Sequence, residues 1–457
     1  MKKTDLLVIG GSAGGILSAT MARKAYGEIN ITVIRDTDAV MVPCGIPYIY
    51  GTLKCTSKNV IPDKMLVDAK IDLVVGTVVK IDKENKTVTT KENETYSYKK
   101  LVIATGSLPI IPTFIQGYEL ENVFPICKNQ GYLNTLLEKL KEVENVAVIG
   151  GGFIGVEFAE QISMTGKNVT LVEMADACLW QAFDKSFTDD IEKMMKDKGI
   201  NVLTNTKVKK IIGDKKAEAL ELDNGQKIPA ELVILGLGVR PNGLLAKEAG
   251  LDVNAKGAII VDQYTRTSDP DIFAVGDCAE KKCFFTNKDV PVLLASTAAM
   301  EAKIAGSNAF QLRLIRANKG TISAFSTQIF GKTFAAAGLT EARARQEGFT
   351  INVGEFTTMD RHPGSLPGTS TVQIKLIFSK CSGVILGAQI SGGDSVGEMI
   401  NIASLAIQKG MTATELNTFQ VATHPLLSAS PIAYPINAAS MNAIAQNCRH
   451  LNEGLVI

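Results

Sequence analysis

Short, mostly apolar runs alternate with longer stretches of helix-forming residues along this chain. LLVIG (6–10), INITVI (29–34), VAVIG (146–150) and NVTLVE (168–173) are the clearest runs. β-Branched, mostly apolar runs of this length, bounded by glycine turns and helical stretches, predict buried strands of a parallel sheet. Two of them enter glycine clusters, GGSAGG (10–15) and GGGFIG (150–155). Each cluster leads into a helical stretch, ILSATMARKAY (16–26) or VEFAEQISMTG (156–166), and then into the next apolar run. Strand, glycine turn, helix, strand is the βαβ unit that binds dinucleotides, with the pyrophosphate at the helix N-terminus. One such motif is a weak signal. Two in the right context, 140 positions apart from Gly10 to Gly150, predict two dinucleotides in one chain.

From about Ser323 the pattern changes. STVQIKLIFS (370–379) and GVILGAQIS (383–391) read as strands, and SVGEMINIASLAIQKG (395–410) reads as an amphipathic helix. A weakly charged, Pro-containing tail follows, THPLLSASPIAYPINAASMNAI (423–444). This predicts a third, α+β unit whose apolar tail is core or subunit interface.

Composition narrows the classes. A chain of 457 residues is too long for one core and suggests several domains. Lys plus Arg (48) balances Asp plus Glu (47), so no net field draws it to nucleic acid or an anionic membrane. The opening MKKTDLLVIG imitates a signal peptide, but Asp5 interrupts it and its glycines fall at a strand-to-helix turn. No run approaches the ~20 apolar residues of a membrane span. The cysteines (44, 55, 127, 178, 278, 283, 381, 448) are scattered and form no CxxC pair. That argues against a zinc knuckle or a dithiol motif, expects no bound metal, and fits a reducing cytoplasm.

Candidate chemistry follows from these units. In the first loop Gly10, Gly14 and Gly15 permit close phosphate approach, and Ser12, at the middle position, is small. The acid that binds a ribose should end the second strand, where Arg35 and Asp36 stand. Asp36 is the better acceptor, which leaves Arg35 for the surface or the adenosine. In the second loop Gly150, Gly152 and Gly155 precede Glu173. A carboxylate there accepts from both ribose hydroxyls and repels a 2′-phosphate, so NADH is expected over NADPH.

With LVIATGSLP (101–109), GLGVRPN (236–242) and DIFAVGDCA (271–279), these motifs resemble the pyridine nucleotide–disulfide oxidoreductase family in its usual order over nearly the whole chain. The resemblance implies an α/β fold of two Rossmann-like domains, one for FAD and one for NAD(P)H, plus a C-terminal α+β dimerisation domain. The expected boundaries are 1–112 with 244–322 for FAD, 113–243 for NAD(P)H, and 323–457 for the interface of a homodimer. It implies that Thr105 and Gly106 lie near the junction of the two cofactors and that Asp277 binds the ribityl chain of FAD. We also place Ala13, Val79 and Ala298 in the FAD site, and Phe153, Ile154 and Gly238 in the NAD(P)H site. Glu157 resembles the family's glutamate near the nicotinamide, without an evident lysine partner.

VPCGIPYIYG (42–51) carries Cys44 but Ile49 where dithiol members have a second cysteine. It therefore resembles the single-cysteine branch: coenzyme A-disulfide, polysulfide and persulfide reductases, NADH oxidases and peroxidases. Gly45 and Pro47 predict a helix N-terminus at Cys44, whose dipole favours the thiolate. Oxidases and peroxidases carry a histidine where this chain has Ala13, so the expected substrate is a small disulfide, persulfide or polysulfide, such as CoA disulfide. The alternatives are an NADH oxidase or peroxidase working through a Cys44 sulfenate, and a flavoprotein passing electrons to a protein partner. In the C-terminal region THPLLSASPIAYP (423–435) is similar to the family's histidine string, with Ala429 in place of its glutamate. His424 is the expected acid/base, shared across the dimer, with His362 and Tyr434 as further candidates.

Overall fold

The computed structural model describes the backbone of residues 1–453 and the side chains of residues 1–446; the Cys448 side chain lies outside the described residues. The apolar runs form two parallel five-stranded sheets. In the first, the strand order is 272–274, 100–103, 6–9, 31–35, 72–75. In the second it is 123–125, 232–235, 145–149, 168–172, 201–203. Their central strands, Leu6–Ile9 and Asn145–Ile149, are buried along almost their whole length, as sheets covered on both faces require.

The arrangement fixes where the glycine loops sit. Each central strand has its sequence successor on one side and a later strand on the other, so the chain reverses direction of growth at that point. The crevice at the carboxyl end of such a strand is where open α/β sheets bind ligands. Gly10 and Gly150 open those crevices, and helices Ala13–Tyr26 and Phe153–Ser163 lead away from them. An antiparallel pair, 107–109 with 239–241, joins the two halves. Among the described residues no helix is long and apolar enough to cross a membrane.

The C-terminal part is an antiparallel sheet ordered 325–329, 332–338, 385–392, 371–379, 351–359. Helix Val396–Lys409 and the long helix Pro435–Glu453 pack on it around a core of Ile374, Leu376, Ile390, Ala403 and Ile436. The tail was thus more regular than its prolines suggest: Pro435 takes the first position of a helix, where its missing N–H costs nothing. Leu426, Leu427 and Ile432 remain exposed on the segment before that helix, Ile432 at 94%.

Candidate active site

A single cavity of about 2370 Å³ runs from the first glycine loop past Cys44 to the second loop and Glu173. Small-molecule pockets are usually ~300–1,000 Å³, so this one has room for two dinucleotides. Of the expected cofactor residues, Gly10, Ser12, Ala13, Gly14, Arg35, Asp36, Val79, Thr105, Gly106, Asp277 and Ala298 line its first half. Gly150, Gly152, Phe153, Ile154, Glu157, Glu173 and Gly238 line its second.

Gly15 and Gly155 lie behind the surface and close the two turns. A Cβ on either would stand 1.8 Å from the carbonyl oxygen of Gly10 or Gly150, so only glycine lets helix and strand meet there. Both helices start without a side-chain cap, at Ser12 and Gly152. Their first N–H groups are therefore free for an anion, and the two sites fit the pyrophosphates of dinucleotides.

The two ribose positions differ. Gly10 N–H donates to Ile34 O and Gly150 N–H donates to Val172 O, both at 2.8 Å, so Arg35 and Glu173 hold equivalent places. A Cβ on Gly11 would touch the Arg35 side chain, and one on Gly151 would touch Glu173. Glu173 accepts the N–H of Gly151 at 2.5 Å and that of Ala175 at 2.7 Å. The second strand ends at Arg35, one residue before Asp36. Asp36 is exposed at the cavity edge, and Arg35 is not at the surface but buried. Arg35 forms a two-pronged ion pair with Asp63 and donates to Thr37 O at 2.8 Å and Asp38 O at 2.6 Å.

Asp277 sits on a 3-10 turn, Gly276–Cys278, that a buried ion pair secures. Lys281 Nζ lies 3.1 Å from Glu301 Oε1 and donates to Gly276 O, while Glu301 accepts the Gly276 N–H at 2.8 Å. The Asp277 carboxylate accepts from Ser107 Oγ at 2.7 Å and faces Lys128 Nζ at 3.3 Å. Thr105 Oγ1 donates to Asn242 O at 2.6 Å, tying the ATG turn to the strand leaving the second half.

Cys44 is exposed within the cavity. Cys127 and Cys283 also line it but are more deeply covered. Ile49, five places after Cys44, is fully buried and offers no thiol. The expected helix N-terminus at Cys44 is absent: the thiol rides on a single 3-10 turn, Pro43–Gly45, too short to carry a useful dipole. Because the thiol opens into an enclosed space, protein burial pushes its pKa up, and Glu157 adds to this. Lys128 opposes both. Lys128 belongs to no motif, and only the folded chain brings it here.

Glu157 accepts a hydrogen bond from Thr327 Oγ1 at 2.8 Å, so its partner is a hydroxyl of the C-terminal sheet. Burial, with a smaller push from Glu160, raises its pKa to about 7. None of the three C-terminal candidates lines the cavity. His424 is exposed, and its Nδ1 accepts the Leu426 N–H at 3.2 Å. His362 Nδ1 meets Ser428 O at 3.0 Å, and its N–H donates to Pro425 O, so the two histidine–proline strings join. Tyr434 departs from expectation: it packs in the C-terminal core, 8% exposed, edge-on to Phe419, because the helix starting at Pro435 turns it inward.

Two parallel five-stranded sheets, each with an uncapped glycine loop at its crevice, and one cavity joining them with the exposed Cys44 on its wall define a two-dinucleotide oxidoreductase fold. Residues 4–303 match the model of the pyridine nucleotide-disulphide oxidoreductase family, and residues 326–432 match its dimerisation domain. The chain belongs to this family; it is a flavoprotein oxidoreductase using FAD and a pyridine nucleotide. It is 32% identical to an NADH oxidase of Enterococcus faecalis, over 90% of this chain and 93% of that one. It is equally 32% identical to an NAD(P)H coenzyme A polysulfide/persulfide reductase of Pyrococcus horikoshii, with the same coverage. A solved NAD-dependent persulfide reductase from A. fulgidus superposes with a TM-score of 0.89 at 31% identity, covering 98% of this chain and 84% of that one.

Proposed function

We propose that the chain reduces small disulfides, persulfides or polysulfides with NADH, and that Cys44 is the thiol that meets the substrate. The observation that carries this reading is Cys44 itself, exposed between the two glycine loops with Ile49 buried in place of a second thiol. In this reading residues 1–112 with 244–322 hold FAD through the first glycine loop, Thr105 and Asp277. Residues 113–243 hold the pyridine nucleotide through the second loop and Glu173, whose carboxylate favours NADH. Residues 323–457 form a homodimer interface, and their exposed tail offers His424 to the second copy's cavity.

Bound FAD supplies two-electron exchange between a nicotinamide and a thiol. The Cys44 thiolate attacks one sulfur of the substrate, the S–S bond breaks, and the first thiolate leaves. Lys128 favours the attacking thiolate, whereas an ionised Glu157 disfavours it. A Glu157 that keeps its proton near neutrality removes that opposition. Restoring the Cys44 thiolate takes one electron pair and frees the second sulfur fragment. The balance is RS–SR + NADH + H⁺ → 2 RSH + NAD⁺.

The Enterococcus relative favours a second reading, an oxidase working through a Cys44 sulfenate. Against it, no histidine among the described residues lines the cavity, and Ala13 stands in the first loop. The test compares anaerobic NADH oxidation with CoA disulfide or polysulfide against oxygen consumption. Sulfur-substrate turnover should dominate and vanish in Cys44→Ser with FAD retained; dominant oxygen turnover overturns the reading.

A further inference from the structure

Trp180 is the chain's one tryptophan, and it is 51% exposed on the wall of the cavity. Its loop is not loose. Cys178 is fully buried and its N–H donates to Glu192 at 3.1 Å; Leu179 N–H donates to Gly151 O at 2.9 Å. At the far end Asp184 accepts from Gln389 and pairs with Lys375 at 3.1 Å. A loop pinned at both ends could have buried its largest side chain, yet Trp180 makes no ring contact with any described residue.

The backbone is what turns it outward. Leu179 has φ +57°, a left-handed conformation that a branched, fully substituted residue rarely adopts. Such strain persists where the surrounding contacts over-determine it, and it clusters at ligand sites. Here it keeps the Leu179 side chain in the core, 4% exposed, and sends the next side chain into the cavity. Gly151 lies against both Glu173 and Cys178, so the ribose position and the base of the Trp180 loop share one contact point. Met174, 70% exposed, continues the apolar wall on the other side of Glu173.

We propose that Trp180 is the adenine platform of the pyridine-nucleotide site, its indole stacking on the base while Glu173 takes the ribose. This rests on the reading that the second glycine loop holds that nucleotide. Base-on-aromatic stacking is strong enough to make Trp180 a principal determinant of affinity, and it is indifferent to the redox state of the nicotinamide.

ADP-ribose tests this on the FAD-loaded enzyme, since it carries the adenosine without a nicotinamide. Its binding should quench the single-tryptophan fluorescence saturably. By calorimetry Trp180→Ala should weaken ADP-ribose roughly tenfold, and Trp180→Phe should restore most of that, with FAD content unchanged in both. Glu173→Ala separates the two levels of argument. If it weakens ADP-ribose while Trp180→Ala does not, the platform is refuted and the nucleotide site stands. If ADP-ribose fails to bind the unaltered enzyme, or binds unaffected by Glu173→Ala, the underlying reading falls and the platform with it. If Trp180→Ala disturbs folding, an absence of quenching in the unaltered protein, or a Phe variant no tighter than an alanine-like tenfold loss, is enough to overturn the assignment.

Discussion

Glu157→Gln isolates the half-buried carboxyl whose charge acts on Cys44. A carboxyl whose pKa rises from its ordinary 4.5 to about 7 prefers the protonated form in the folded chain by about 3 kcal/mol. Between those two values the folded chain holds one proton more than the unfolded chain, so stability falls as pH rises across that window. Below 4.5 both forms are protonated and above about 7 both are ionised, and the contribution is flat. Glutamine keeps the shape, and its carbonyl still accepts from Thr327 Oγ1, but it removes the titration. The assay is denaturant unfolding of the holoenzyme at steps of pH, followed by the fluorescence of Trp180, which sits in the same nucleotide-binding half as Glu157. The stability of the unaltered protein relative to Glu157→Gln should drop by about 3 kcal/mol between the two pKa values. Parallel profiles for the two proteins across that range refute the argument that burial holds the proton.

Three further outcomes follow from the same electrostatics and packing. Lys128→Met removes the cation that draws the Cys44 pKa down, so alkylation of Cys44 by iodoacetamide at neutral pH should slow roughly three- to tenfold; an unchanged rate places Lys128 outside the thiol's field. Asp63→Ala strands the Arg35 guanidinium, whose side chain is 4% exposed, and should cost about 3 kcal/mol, whereas Arg35→Met leaves only the 35%-exposed Asp63 and should cost less than half of that, both read by thermal unfolding and FAD retention. Lys375→Met leaves Asp184 and Glu341, 3.1 and 2.7 Å from the lost ammonium, facing each other beneath the Trp180 loop; KM for NADH should rise several-fold with kcat nearly unchanged, as steady-state kinetics will show.

The parts of the site that were legible in the sequence are those whose requirements are local. A helix and strand that must touch behind a pyrophosphate write glycines into consecutive positions, so Gly10–Gly15 and Gly150–Gly155 announce themselves. The single thiol is equally local, because Cys44 and Ile49 share one short segment. The groups that set its chemistry are not local. Thr327 reaches Glu157 across 170 positions and Lys128 reaches Asp277 across 149, and neither spacing carries a periodic or compositional signal. The same holds for Lys281 and Glu301, whose burial follows from the packing of helix Ala295–Asn308 against the Asp277 turn.

Arg35 shows a different reason for failure. Searching for a carboxylate at the end of the second strand weighs side-chain chemistry, settles on Asp36 and sends Arg35 to the surface, whereas Arg35 is buried against Gly11. Register is set by the backbone: the Gly10 N–H to Ile34 O bond places residue 35 over Gly11, just as the Gly150 N–H to Val172 O bond places residue 173 over Gly151. The two crevices therefore share one frame and differ in the side chain it presents. In the second a carboxylate is held by two backbone amides with lone pairs to spare for hydroxyls. In the first a guanidinium is tied off by Asp63 and two carbonyls, which spends four of its five donors before any ligand arrives. On the proposed assignment of the two sites, the first crevice is left with backbone amides and shape for its dinucleotide, and the ribose-reading carboxylate stands in the second, at Glu173.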